Sequence, residues 1–274
     1  MRIAAFTVIL PDMTPEEAAH QLRSAGYDGV EWRLAPPAVG PRARGHLCSL
    51  PWEGLEAVLP RMRALCDGLH LAVPALGSYA AVGDGGAVRR ALEAAQVLGC
   101  PQVRVQPPRI SGGRTYRETW AEAVRDLVRI EPLARRSRVK LLVELHHGGI
   151  VPSASLAYRL VGHCDPACVG VTYDPGNMVH EGYEAWRLGL ELLGPYLAHV
   201  HVKNAGWTQQ SGGGWKVEWA PLEAGVVDWC AVMSDLRAVG YDGWLSLEDF
   251  APGSGPERIL RGAAFLRRIA APAL

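Results

Sequence analysis

The sequence predicts an α/β protein folded as a single (β/α)₈ (TIM) barrel that takes in residues 1–274. Short apolar runs alternate eight times with longer segments of helical pattern, as in a chain of βαβ units. Most of these runs are continuously apolar, which is typical of parallel strands buried on both faces. The length of 274 residues is close to the roughly 250 residues that such a barrel needs.

The eight expected strands leave room for a helix between each pair. The first one occupies the N-terminus, which is too short for a signal peptide and lacks a small-residue cleavage site. The expected ranges are Ile3–Ile9, Gly29–Arg33, Leu69–Ala75, Gln102–Gln106, Val139–Leu145, Val169–Tyr173, Ala198–Val202 and Trp244–Leu247.

Helix signals separate these strands. Thr14 and Glu17 have capping-box spacing with a proline at the first helical position, and Thr115 and Glu118 repeat that spacing. Asp228 is expected to cap a later helix. Residues 23–30 (RSAGYDGV) recur as residues 237–244 (RAVGYDGW), each ending a helix and starting a strand. A barrel built from repeated βα units would show such a repeat.

Composition excludes several classes of protein. Lysine plus arginine and aspartate plus glutamate both number 28, so the formal net charge is zero and the basic excess of a nucleic-acid surface is missing. The chain contains no apolar stretch of about 18 residues, the minimum for a membrane helix. Its six scattered cysteines form no CxxC pair, which favours reduced, buried thiols in a cytoplasmic protein over structural zinc.

Four of the later strands end in side chains that can bind a metal. They are Glu144, Asp174, His201 and Glu248. The carboxyl ends of barrel strands converge, and charged groups brought together there are costly unless paired or metal-bound. Three carboxylates and an imidazole suit one divalent ion, Mn²⁺, Mg²⁺, Co²⁺ or Zn²⁺.

Other polar residues fall close to the same strand ends. By strand alternation, His146 shares the face of Glu144, and Lys203 and His199 share that of His201. We expect His146 and Lys203 to contact substrate and His199 to orient a carboxylate from deeper in the barrel. His146 as a structural histidine is the alternative. His147 and His180 are interpreted as structural or solvent-facing.

Three further features each leave two interpretations open. Glu31 binds substrate hydroxyls or pairs with Arg33 or Arg104. Trp207 and Trp215 stack on a sugar or close over it as a lid, or else pack their glycine-rich loop onto the barrel. Arg109 and Arg114 either bind a phosphate or belong to a solvated loop.

These motifs together resemble the xylose isomerase-like barrels, the sugar-phosphate isomerase/epimerase superfamily that also contains endonuclease IV-type enzymes. The matching stretches are residues 26–31 (GYDGVE), 142–146 (LVELH), 173–177 (YDPGN), 199–203 (HVHVK), 225–229 (GVVDW) and 240–248 (GYDGWLSLE). The resemblance covers nearly the whole chain in order. It implies that Glu144, Asp174, His201 and Glu248 are the metal ligands and that Glu144 and Glu248 also act as acid/base groups on a sugar or polyol.

The chain departs from this family at two positions. Asn177 stands where ketose 3-epimerases usually have a histidine, and Trp207 stands where they have an arginine. Asn177 either hydrogen-bonds a substrate hydroxyl or is a left-handed turn residue after Gly176. The missing histidine also argues against a three-metal phosphodiesterase. Relatives often form dimers or tetramers, which leaves a homo-oligomer open by analogy.

The reaction expected from this ligand set is proton transfer next to a carbonyl. A divalent metal acidifies the C–H between a carbonyl and a neighbouring hydroxyl, and a carboxylate removes the proton. If the proton returns to the neighbouring carbon, the reaction is isomerisation. If it returns to the opposite face of the same carbon, the reaction is epimerisation. Loss of a β-hydroxyl would make the enzyme a lyase or dehydratase acting on a keto-sugar or cyclitol. A barrel that has lost catalysis is the third alternative.

Overall fold

The computed structural model of the chain describes residues 1–35 and 47–271. Within these residues a closed, all-parallel barrel of eight strands is surrounded by helices. The described residues contain eleven strands, and eight of them form the barrel wall. In chain order they are β1 Arg2–Phe6, β2 Gly29–Ala35, β3 Leu50–Pro51, β4 Leu76–Ala81, β5 Gln102–Gln106, β6 Lys140–Glu144, β7 Val169–Tyr173, β8 Leu197–Val202, β9 Asn204–Gln209, β10 Trp215–Ala220 and β11 Trp244–Leu247.

The barrel closes through β1, which pairs in parallel with β2 on one side and β11 on the other. Around the wall the order is β1, β2, β4, β5, β6, β7, β8 and β11. The two-residue β3 pairs in parallel with the end of β2 and lies outside this ring. All eight wall strands therefore point their carboxyl ends at the same mouth.

The helices are α1 Pro15–Ser24, α2 Leu55–Gly68, α3 Gly85–Leu98, α4 Tyr116–Ser137, α5 Ala154–Val161, α6 Pro175–Met178, α7 Trp186–Leu193, α8 Trp229–Ala238 and α9 Gly255–Ala270. Both predicted capping boxes are present, at Thr14 and Thr115, and Asp228 caps α8. Each of these helices in residues 1–35 and 47–271 falls short of the length or the apolar content that a membrane span needs.

The expected third strand, Leu69–Ala75, is wrong. His70 adopts a left-handed conformation with φ of 52°, and Leu71 donates its N–H back to the carbonyl of Cys66, so the start of this run terminates α2. Only Ala72 forms a bridge, with Gly29, and the wall strand begins at Leu76. A short apolar run does not reveal whether it ends a helix or forms a strand.

Two other segments also differ from the sequence-based expectation. The first strand ends at Phe6, since Thr7–Ile9 forms a 3₁₀ turn. The glycine-rich segment after the seventh wall strand is an antiparallel hairpin, β9 and β10, in which Trp207 faces Val217. Residues 36–45, a stretch of the sequence rich in proline and glycine, lie outside the described residues.

Candidate metal centre

The four predicted ligands meet at the barrel mouth. Glu144 ends β6, Asp174 directly follows β7, His201 lies in β8, and Glu248 directly follows β11. All four are buried, and one donor atom of each lies within 4.8 Å of the others. Nδ1 of His201 is 3.0 Å from Oε1 of Glu144 and 3.3 Å from Oε2 of Glu248. The closed barrel thus gathers four residues that are distant in sequence.

Asn177 holds two of these carboxylates in place. Its backbone N–H donates to Oδ1 of Asp174 at 2.9 Å, and its Nδ2 donates to Oδ2 of Asp174 at 2.8 Å. The same amide nitrogen lies 3.4 Å from Oε1 of Glu144. Asn177 belongs to α6 and its φ is negative, so the left-handed turn interpretation is wrong. Contact of this residue with substrate stays a prediction.

Lys203 is buried among the same carboxylates. Its Nζ lies 2.8 Å from Oδ2 of Asp174 and also contacts Oε2 of Glu248. Burial disfavours the charged form of the ammonium, but Asp174 and Glu248 outweigh burial and raise the pKa of Lys203. The ring centroids of Trp219 and Phe250 lie 5.4 and 5.5 Å from Nζ. Lys203 therefore places a positive charge within the predicted ligand set.

Glu31 forms the floor of the site. Its Oε2 accepts from Nε2 of His199 at 3.0 Å and from Oγ of Ser246 at 2.7 Å. Nε2 of His201 lies 3.2 Å from both carboxylate oxygens. Burial raises the pKa of Glu31, but the two imidazoles outweigh burial and bring it well below its ordinary value.

The predicted alternative partners of Glu31 are engaged elsewhere. Arg33 donates to Ser49 and Tyr79, and Arg104 donates to Glu144. Pairing of Glu31 with either arginine is therefore wrong. His199 does orient a carboxylate from a deeper position, and the carboxylate is that of Glu31.

The two outer glutamates remain ionised. Burial raises the pKa of Glu144, but Arg104 and His201 outweigh burial and lower the pKa well below its usual range. Burial raises the pKa of Glu248 too, but Lys203 and His201 outweigh burial, so this pKa lies below its ordinary value. Both side chains are thus anionic near neutral pH and can bind a cation.

Three histidines form a stack on one side of the mouth. The rings of His147 and His180 are parallel within 8° at 3.8 Å, and the ring of His146 stacks on that of His147 at 4.6 Å. Nδ1 of His147 lies 3.0 Å from Oδ1 of Asn177. Burial lowers the pKa of His180 to about 4, and His147 adds to the effect. His147 and His180 are thus the wall of the site rather than solvent-facing residues.

The hairpin contains three tryptophans, which differ in their contacts. Trp207 donates its indole N–H to the carbonyl of Val179 at 3.2 Å, which ties the hairpin to the segment after α6. Trp215 is 68% exposed. Trp219, which was not anticipated from the sequence, contacts His180 and Phe250 next to Lys203. A substrate contact by Trp207 stays a prediction.

A cavity of about 40 Å³ opens beside Glu144. It is lined by Arg104, Arg109, His146 and the apolar side chains of Val105, Ile150 and Val151, among others. Arg114, the other arginine of the predicted loop, is paired instead with Glu122 on α4.

The donor set fits a divalent cation. Oxygen donors from Glu144, Asp174 and Glu248 and one nitrogen from His201 match the preferences of Mn²⁺, Mg²⁺, Co²⁺ and Zn²⁺. The cluster is also more negative than Arg104 and Lys203 can neutralise, since Glu31 lies directly beneath it. Buried negative charge of this kind is stabilised by a bound cation.

Comparison with known proteins agrees with the fold. Residues 19–269 match the model of the xylose isomerase-like TIM barrel family, and the chain belongs to that family. The sequence matches no protein of curated function.

Several solved structures share the architecture over almost the entire chain. An IolI protein with a bound zinc atom aligns with a TM-score of 0.78 at 17% identity, covering 98% of both chains. The 3-keto-D-glucoside 4-epimerase YcjR from E. coli aligns at 0.72 and 18%, covering 98% of this chain and 99% of its own. A D-allulose 3-epimerase from Methylomonas sp. aligns at 0.75 and 15%, covering 98% of both. At these identities the similarity establishes the fold.

Proposed function

We propose that this protein is a metal-dependent isomerase or epimerase of a sugar, sugar phosphate or keto-polyol. The supporting observation is the convergence of Glu144, Asp174, His201 and Glu248 within 4.8 Å beside an open cavity. Solved relatives of the same fold include sugar epimerases and a zinc-bound protein. We propose that each of these four residues binds the metal in this chain.

A divalent cation held by these four residues would acidify a C–H bond next to a substrate carbonyl. Glu144 and Glu248 would carry out the proton transfer, because both are ionised carboxylates that border the mouth. They come from β6 and from the end of β11, on different sides of the ligand cluster. A substrate between them would present a different face to each, which is the arrangement that epimerisation needs.

Lys203 and Asn177 would set the position of the substrate. The ammonium of Lys203 can stabilise negative charge on a substrate oxygen, and its raised pKa makes it unsuited to act as a nucleophilic amine. Asn177 replaces the histidine of ketose 3-epimerases and already uses its amide nitrogen on the two carboxylates. Its Oδ1 faces Lys203 and His147. The chain would therefore handle hydroxyl groups differently from those enzymes.

The test is deuterium incorporation from D₂O. Protein loaded with Mn²⁺, Mg²⁺, Co²⁺ or Zn²⁺ is incubated with a panel of ketoses and keto-polyols, and products are followed by NMR and mass spectrometry. We expect exchange of one carbon-bound hydrogen with no loss of mass by dehydration. A product lighter by one water would identify a lyase instead, and absence of both metal binding and exchange would support a non-catalytic barrel.

Two variants link the reaction to the site. Glu248→Gln should abolish exchange and keep the far-UV circular dichroism of the parent. Asp174→Ala should strongly reduce metal occupancy measured by plasma mass spectrometry. Glu223→Gln changes an exposed carboxylate outside the cluster and is the matched control. Near-normal exchange in Glu248→Gln, or full metal occupancy in Asp174→Ala, would contradict these roles.

A further inference from the structure

The cavity beside Glu144 contains an arginine whose hydrogen-bonding capacity is only partly used. Arg104 is 4% exposed and donates from Nη1 to Oε2 of Glu144 at 2.6 Å. Its Nε and Nη2 are buried and have no partner among residues 1–35 and 47–271. Buried donors of this kind are costly unless a ligand or another group accepts from them.

The unused donors form one edge of the guanidinium plane. Nε–H and Nη2–H lie side by side and point in nearly the same direction, the geometry that suits two oxygens of a carboxylate or phosphate. The plane is held by the rings of Tyr79 and Phe6, whose centroids lie 4.8 and 5.2 Å from Cζ. Arg104 is therefore fixed in orientation before any ligand arrives, which reduces the entropic cost of binding.

A second cation faces the same cavity. Arg109 lies on its lining and is exposed, and no acidic partner of Arg109 occurs among the salt bridges of the described residues. The nearby Arg114 is neutralised by Glu122 and does not line the cavity. Of these two arginines of one loop, Arg109 is therefore the one that can join Arg104 in holding an anion.

Charge balance allows an anion at this position once a divalent cation is bound. Four carboxylates of the site, from Glu31, Glu144, Asp174 and Glu248, would be balanced by the metal together with Arg104 and Lys203. Arg109 then adds one positive charge. Without the metal, the carboxylates are in excess and would repel an anion.

We propose that Arg104 and Arg109 form an anion subsite, and that the substrate of this barrel carries a carboxylate or phosphate group at the end that enters this cavity. This inference rests on the proposed function, because it places the reacting carbons of the substrate next to Glu144. The substrate class is a sugar acid or a sugar phosphate rather than a neutral sugar.

Binding of defined probes tests the subsite independently of catalysis. Isothermal titration of the Mn²⁺-loaded protein compares D-gluconate, D-glucose 6-phosphate and neutral D-glucitol. We expect one of the anions to bind about tenfold or more tightly than glucitol, since charge-assisted fork contacts are roughly twice as strong as neutral ones. Preference for gluconate identifies a carboxylate and preference for glucose 6-phosphate a phosphate. Removal of Mn²⁺ should weaken anion binding.

Three variants locate the binding. Arg109→Gln and Arg104→Lys should each lower the affinity for the preferred anion and leave that for glucitol unchanged. Arg114→Gln is the matched control on the same loop and should bind all probes as the parent does. Circular dichroism confirms that Arg104→Lys is folded. Equal binding of anions and glucitol, or parent-like anion binding in Arg109→Gln and Arg104→Lys, would overturn the proposal.

The outcomes separate this inference from the proposed function. Deuterium exchange into neutral ketoses with no anion preference would leave the function standing and refute the subsite. Arginine-dependent anion binding without exchange into any sugar, sugar acid or sugar phosphate would leave the subsite standing and refute the isomerase.

Discussion

Replacement of Glu31 by glutamine tests whether this carboxylate controls the metal centre from below. Glu31 accepts hydrogen bonds from His199, His201 and Ser246 while fully buried. Because it engages Nε2 of His201, it favours a proton on that nitrogen and leaves Nδ1 free to face Glu144, Asp174 and Glu248. Glutamine has nearly the same shape but no charge, and its amide nitrogen is a donor that would face other donors.

The expected magnitude follows from the hydrogen bonds that this substitution weakens. A hydrogen bond to a charged group contributes about 1.5–3 kcal/mol, so the metal-free variant should lose on the order of 3 kcal/mol of unfolding free energy. Substitution of a residue that orients a metal-bound histidine usually lowers metal affinity about 10- to 100-fold. We expect Glu31→Gln to fall in that range for Mn²⁺ and Zn²⁺.

Competition with a chelating dye measures the metal affinity, and urea unfolding measures the stability. NMR of ¹⁵N-labelled histidine reports which ring nitrogen of His201 carries the proton, a readout that general destabilisation would not move. Ser246→Ala removes one bond to Oε2 of Glu31 without touching His201, so its effect on metal affinity should be smaller. A folded Glu31→Gln protein with parent-like metal affinity and an unchanged His201 tautomer would refute this reasoning.

Further predictions concern the walls of the site. Lys203→Met should raise affinity for a divalent cation about tenfold or more in a dye-competition assay, since an ammonium 2.8 Å from Asp174 opposes a second cation; unchanged affinity would contradict this. In the unfolded chain the imidazole of His180 takes up a proton near pH 6.5, whereas its pKa in the folded protein is about 4. The free energy of unfolding should therefore fall as the pH drops from about 6.5 to about 4. His180→Phe should lessen that fall in melting temperature, and an identical pH profile would count against it. Gly77→Ala would place a Cβ in steric overlap with the ring of Phe6 and should cost about 1–3 kcal/mol in urea unfolding, with Gly206→Ala, which has open space, as control.

The ligand cluster could be predicted from sequence because it depends on topology. In a closed parallel barrel every strand end reaches the same mouth, so Glu144, Asp174 and Glu248 needed only to be recognised as strand-end residues. The errors concern segments whose structure depends on tertiary packing. Residues 69–75 are as apolar as a strand, but packing places them after α2. The glycines around residues 206–214 are typical of a loop, so the sequence predicted neither the hairpin of β9 and β10 nor the position of Trp219 near Lys203.

For Arg104 the sequence contains a stronger signal than its possible pairing with Glu31. In β5 the residues Gln102, Arg104 and Gln106 alternate with valines, whereas β7 has apolar side chains or glycine at four of its five positions. Alternation in a strand covered on both faces means that one face is polar, and in a barrel wall that face has to lie toward the interior or the mouth. The partner of Arg104 in the structure is Glu144, and this contact depends on side-chain directions that periodicity does not give.

Under the proposed function, reaction and substrate choice depend on different residues. The four proposed ligands would determine where charge can be stabilised, and the same ligand set is compatible with isomerisation, epimerisation and elimination. Discrimination between substrates comes from groups that are left unpaired when the wrong ligand binds. Arg104 has two such buried donors beside the cavity, while Asn177 has already committed its amide hydrogens to Asp174, Glu144 and the carbonyl of Leu145. The side of the mouth formed by β5 should consequently select the substrate more strictly than the side formed by α6.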